Sequence, residues 1–210
     1  MKYDYLLKWK FKWVAGNRHL SSAESENNAA IVAQMFLDMN MSMNACAAIL
    51  GNMQGESGIN PAIWENLGNP VPRGEDENGD TIYATGEELG YGLVQWTPGS
   101  KYLDWARALG AENNYNYEPY RIFYEMENNM QWIPTTAYPI TFSDFWKSNL
   151  PVNYLTYAFM HNYERPADLN HPDRIQYAEY YLNSIVKRTM RTGIRNLLIA
   201  YKRRKKFLCR

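Results

Sequence analysis

Glu56 follows an apolar stretch rich in small residues, Ala45 to Met53, and precedes Ser57-Gly58-Ile59-Asn60-Pro61. Pro61 forces an extended or turn conformation on Asn60, which places the glutamate at a helix terminus. A carboxyl at the end of a buried helix loses solvation, which disfavours its charged form and lets it hold a proton towards neutral pH. Cleavage of a glycosidic bond needs such a group, a general acid that donates to the departing oxygen. A surface glutamate at a helix end would occupy the same position, and most glutamates are of that kind.

A second constellation lies downstream. Gly90 and Gly92 flank Tyr91, and Gln95 follows three residues later. Glycine at both positions lets backbone approach a polysaccharide closely, with amide groups free to bond N-acetyl substituents. Tyr91 offers a flat face for a sugar ring and Gln95 a bidentate amide. Leu93 and Val94 read as strand packing. Other chemistries find little support. Cys46 sits in the apolar middle of a helix, as a small buried side chain would. His19, His161 and His171 lack zinc-ligand spacing, and no Gly-rich phosphate loop occurs, so neither metal nor cofactor is expected.

The blocks Gly51-Asn52-Met53-Gln54-Gly55-Glu56-Ser57-Gly58-Ile59-Asn60-Pro61 and Gly90-Tyr91-Gly92-Leu93-Val94-Gln95-Trp96-Thr97-Pro98, in that order, resemble the phage tail lysozyme family. The likeness is greatest to the muralytic tail-knob proteins of small podophages. Tyr163-Glu164-Arg165-Pro166 is a third block, and the resemblance runs from about Asn27 to Ile185. It implies a lysozyme-like fold, Glu56 as general acid, and a strand carrying Gly90, Tyr91, Gly92, Leu93 and Gln95 along a sugar cleft. It also implies peptidoglycan glycan strands as substrate, cut between N-acetylmuramic acid and N-acetylglucosamine by an enzyme carried on the virion. A lytic transglycosylase, a free endolysin, and an inactive structural or wall-binding tail protein of the same fold are the alternatives.

The second carboxylate is open. Animal c-type lysozymes have an aspartate where this chain has Gly90, so the nucleophile position of a retaining enzyme, about 5 to 5.5 Å from the acid, is empty. In this the chain resembles goose-type lysozymes and lytic transglycosylases. Glu87 or Glu88 stands where goose-type enzymes have an acid, and either would orient a water across a gap of about 6.5 to 9.5 Å. A solvated loop charge is the plain alternative for both. A lytic transglycosylase needs only the one glutamate. Tyr163 or Glu164 would line the cleft from its far side, although Glu164-Arg165 also reads as a structural ion pair.

The elements that must position these groups are mainly helical. Ile31, Met35, Phe36 and Met39 share one helical face, and a turn at Asn40 and Met41 closes that helix. Ser42 is a plausible N-cap for the central helix that runs to Glu56. Leu67 to Leu89 holds six acidic residues, a hairpin signal at Asn78-Gly79 and a short strand at Thr81-Ile82-Tyr83. Another strand is expected from Tyr91 to Trp96. Helices follow from Ser100 (as cap) to Gly110, from Pro119, over Phe142 to Lys147, over Val152 to Met160, and from Pro172 onwards. The fold class is α+β, mainly α: a helical domain with a small β-hairpin wing after the central helix.

The balance of 22 basic and 22 acidic residues conceals two basic ends. Lys187 to Arg210 carries 10 Lys/Arg and no acid, and Met1 to Leu20 carries 5 basic residues and one acid, leaving 7 basic against 21 acidic between them. The expected organisation is therefore a basic, aromatic extension over 1–25, a catalytic domain over 26–186 and a basic amphipathic tail over 187–210. In the first of these, Lys8, Lys10 and Lys12 alternate with Trp9, Phe11 and Trp13, as on a strand with one apolar face. In the tail, Met190, Ile194, Leu197, Leu198 and Tyr201 fall at helical spacing. These ends are expected to anchor the enzyme to other phage tail proteins, with a membrane surface as the rival and no nucleic-acid partner. Two cysteines, no spanning apolar run and charges threaded through Met1 to Val14 predict assembly in a host cytoplasm without a signal peptide.

Overall fold

The computed structural model describes residues 3–188. A one-turn helix, α1 (Asp4–Leu7), leads into a segment without regular structure and then into α2 (Ser22–Asp38). Ser21 and Glu24 form a reciprocal capping box at the start of α2, each side chain accepting from the other's backbone N–H. Asn40, at φ 63°, reverses the chain. Ser42 then caps α3 (Met43–Ser57), its Oγ accepting from the Ala45 N–H at 3.1 Å and donating to the Ser148 carbonyl.

Helix α3 is the centre of the molecule. Every residue from Ala45 to Met53 is buried, which is why the sequence there uses small and aliphatic side chains. It packs against α2, α6 (Phe142–Lys147) and α7 (Val152–Phe159). The helix over 172–188, α8, lies against it at Gly51, where a side chain on α3 would collide with α8 backbone, and at Gly55, where it would press on the Arg174 side chain. A Cβ at Gly51 would lie 2.5 Å from the Arg174 carbonyl and 2.8 Å from the Ala178 amide. Backbone cannot yield as a flexible side chain does, so Gly51→Ala is expected to cost about 3 kcal/mol, the upper end for overpacking. A urea titration reads this directly, and an unchanged midpoint would mean that α8 is not seated where it is described.

After α3 comes the wing, an antiparallel pair of β1 (Val71–Glu75) and β2 (Thr81–Ala84) closed by a turn with Gly79 at φ 82°. The Asp76 side chain accepts from the Asn78 and Asp80 amides and holds that turn. The remaining helices are α4 (Ser100–Ala108) and α5 (Tyr117–Glu127), with a π-type turn over Met160–Glu164 following α7. Ser100 is the first residue of α4 and not its cap, and α5 begins two residues before Pro119.

Two expected strands are absent from the described structure. Trp9 to Trp13 joins no ladder; Phe11 and Trp13 instead pack on the core, and Asn116 binds the carbonyls of Leu6 and Trp9. Leu6 and Leu7 are buried in the same core as α3, so this segment is covered by the protein itself. The stretch from Tyr91 to Trp96 is a tight loop whose ends pair with each other, Tyr91 N–H to Trp96 carbonyl at 3.1 Å and the reverse at 3.0 Å. Gly92 and Gln95 have φ of 78° and 50°, a left-handed geometry that no strand passes through. The basic tail beyond residue 188 lies outside the described residues.

Candidate active site

The loop over 91–96 is shaped from below by α5. Buried Glu118 accepts the Leu93 N–H at 2.8 Å and lies against Gly92, where a Cβ would come within 2.6 Å of its carboxylate. Burial pushes the Glu118 carboxyl well above its ordinary range, with the Leu93 N–H acting the other way. Glu125, two turns along, gathers three donors: Trp96 Nε1 at 3.1 Å, the Tyr163 hydroxyl at 2.6 Å and Arg121 Nε at 2.8 Å. It is committed to fixing Trp96 and Tyr163.

The end of α3, the segment around Trp64 and this loop enclose a groove of about 630 Å³, whose lining also includes Glu125, Tyr163 and Glu164. Glu56, Gln95 and Tyr163 line it, as does His19. Glu56 is not in an apolar pocket. Its Oε1 accepts from Arg174 Nη2 at 2.5 Å, and the same guanidinium bonds Glu164 through Nη1. Nη1 also reaches the buried Asn52 Oδ1 at 3.1 Å. The Glu56 side chain is 20% exposed and that of Glu164 only 5%. Burial, with the Glu56 charge adding to it, raises Glu164 to about 8 against the pull of Arg174.

Other expected site residues are placed differently. Tyr91 is buried, its ring 4.6 Å from that of Trp64 between centroids, and it is Trp64 of this pair that lines the groove. Neither glycine amide is free: Gly90 donates to Glu65 Oε2 at 3.0 Å and Gly92 to the Ile63 carbonyl at 3.0 Å. Gln95 spends its amide nitrogen on the Gly92 and Ile63 carbonyls, at 3.0 and 3.3 Å. These glycines serve the close packing of the loop on itself. Glu87 and Glu88 are not among the groove-lining residues. Glu87 is ion-paired with Arg107, and Glu88 accepts the Thr85 N–H at 3.0 Å in a capping box. Arg165 binds the Gln131 and Asn162 carbonyls, so the expected pair with Glu164 gives way to Glu164–Arg174.

The groove supplies a carboxylate that the sequence reading passed over. Glu65 Oε2 accepts from Arg73 Nη2 at 2.5 Å and from Gly90 N–H. Burial works against its charge, but Arg73 and the Gly90 amide outweigh that and hold its pKa below the ordinary value. The groove lining thus includes one carboxylate held charged, Glu65, and one that burial pushes towards its neutral form, Glu164, with Trp64 and Trp96 as aromatic surface. Environments that push two carboxyls apart in this way divide acid from base work.

The sequence model of the family described as phage tail lysozyme matches residues 27–185. The chain is 39% identical over 170 residues to Morphogenesis protein 1 of Bacillus phage B103, an alignment covering 80% of this chain and 42% of that protein. It therefore spans less than half the length of this relative.

Proposed function

The chain belongs to the phage tail lysozyme family, and from that membership we propose that it cleaves the glycan strands of peptidoglycan, with Glu56 as general acid. The observation that carries this reading is the position of Glu56: it ends the buried central helix and opens into an aromatic, carboxylate-lined groove large enough for a sugar chain. Trp64 provides a face for a ring, and the polar groups around it suit hydroxyl and N-acetyl substituents. Glu65 takes the water-orienting part first expected of Glu87 or Glu88. Both of its bonds fall on Oε2, and its carboxylate is held charged. The bond cut is the N-acetylmuramic acid to N-acetylglucosamine linkage, and water attacks the face opposite the acid.

Mass spectrometry of digested sacculi tests this. Hydrolysis leaves N-acetylmuramic acid at the reducing end. Anhydromuramic acid would instead identify a lytic transglycosylase, a reading favoured by the commitment of Glu125 and Glu87 to structural partners. Intact strands after exhaustive digestion would overturn the proposal. The family's name supports a virion-borne enzyme that opens the wall as the phage penetrates its host. Such a protein stays with particles washed in high salt, and a free endolysin does not. Anchoring through the basic ends to other tail proteins belongs to the same proposal.

A further inference from the structure

The wing has little packing to hold it. Every residue from Pro72 to Tyr83 is exposed, and a two-stranded ribbon is marginal on its own. Its ladder is also irregular. Pro72 pairs with Tyr83 and Glu75 with Thr81, so Arg73 and Gly74 together face Ile82, which makes a β-bulge. Gly74 has φ 123°, and a Cβ there would meet nothing within 4 Å. Glycine is needed for that backbone angle and not for room. A bulge bends its strand and re-aims the side chains beside it. Here the re-aimed side chain is Arg73, whose Nη2 bonds Glu65 Oε2 at 2.5 Å. Glu65 lines the groove and Arg73 does not. The Gly90 N–H reaches the same oxygen at 3.0 Å, so Oε2 is held twice and Oε1 is left to take a water.

We propose that Arg73, aimed by the bulge at Gly74, is a positioning residue that fixes Glu65 for the attack of water. The proposal rests on the reading of Glu65 as the water-orienting carboxylate. Arg73 acts from outside the groove, through Glu65, in two ways. It fixes which oxygen of the carboxylate is free, and it keeps that carboxylate charged, since a protonated Glu65 could not draw a proton from water. Burial opposes the charge, and the groups that offset it are Arg73 from β1 and the Gly90 amide. The other acidic and basic groups of the groove lining are Glu56, Glu125, Glu164, His19 and Lys101, and none of them bonds Glu65. Arg73 and Glu65 are 38% and 29% exposed, so water screens the pair and its effect is modest.

The test uses the full chain and follows kcat and KM for sacculus digestion against pH in the parent, Arg73→Met, Arg73→Lys, Gly74→Ala and Glu65→Gln. Carboxyl carbon NMR follows the Glu65 titration alongside. Without the guanidinium, burial is opposed by the Gly90 N–H alone, so Glu65 titrates higher and the acid limb of the Arg73→Met profile moves towards neutral pH. Activity at pH 5 relative to pH 7 is expected to fall by about threefold to tenfold, in kcat and with KM nearly unchanged. Arg73→Lys restores the charge and is expected to return most of the limb. Gly74→Ala strains the bulge and is expected to reproduce part of the Arg73→Met shift. An Arg73→Met profile that falls equally at every pH overturns the proposal, and a parent-like Gly74→Ala overturns the part given to the bulge. Should Arg73→Met not fold, the parent titration decides: Glu65 must titrate below the ordinary glutamate range, and an ordinary titration overturns the proposal. An active Glu65→Gln sinks the reading of Glu65 itself. An inert Glu65→Gln, beside a Glu65 titration that Arg73→Met leaves unmoved, sinks only the role of Arg73.

Discussion

Glu56→Gln is expected to lower peptidoglycan turnover by roughly 10² to 10⁴-fold, the range carried by a well-placed general acid, while the chain stays folded. Glutamine preserves shape and still offers Arg174 an oxygen acceptor at the position that now bonds Nη2 at 2.5 Å. It removes the carboxyl that the proposed function uses as proton donor. Loss of the Glu56 charge also relieves Glu164, whose pKa that charge now raises, so it should titrate lower in the variant. Clearing of a peptidoglycan gel lost together with an unchanged melting temperature is the expected pair of results. Clearing that persists means that another carboxyl of the groove donates the proton.

Arg174→Met is expected to cost about 3 to 5 kcal/mol, because it strands two carboxyls that shared one buried cation. Its pH dependence is the sharper signature. Glu164 is raised from 4.5 to about 8, so between those values the folded chain keeps a proton that the unfolded chain has released. Stability therefore falls as pH rises through that window. Removing Arg174 takes away the group that lowers Glu164, so the decline should steepen and extend to higher pH. Urea midpoints at pH 5 and pH 8 measure this slope. A variant as stable as the parent at pH 8 would show that the cluster contributes nothing to holding α8 on α3. Adding Glu164→Gln to Arg174→Met should recover part of the loss, since the stranded charge is then gone.

The elements set by local chemistry were legible in the sequence. Ser42 caps the central helix, Asn78-Gly79 turns the hairpin, and the helix over Phe142–Lys147 has its expected bounds. The unbroken burial from Ala45 to Met53 follows from side-chain size alone. What escaped was set by distant partners. Alternation around Tyr91 suggests a strand, but the chain curls there because Glu118, 25 residues on, claims the Leu93 amide. Glu65 drew no notice because the groups that converge on it, Arg73 and the Gly90 N–H, lie 8 and 25 residues away. Arg174 left one faint signal, the Gly51/Gly55 pair one turn apart on α3, which marks a face against which another helix lies very close. With few basic residues in an acidic middle, a buried arginine facing that stripe was also bound to find carboxylates.

The contact between Arg174 and Glu56 joins residues 118 positions apart. A ribosome delivers the glutamate early and its cationic neighbour only after more than half of the described chain has followed. The Glu56–Arg174–Glu164 cluster therefore cannot be assembled on a nascent fragment that ends before α8. Closing this long loop waits for α8, and any chemistry that depends on the cluster waits with it.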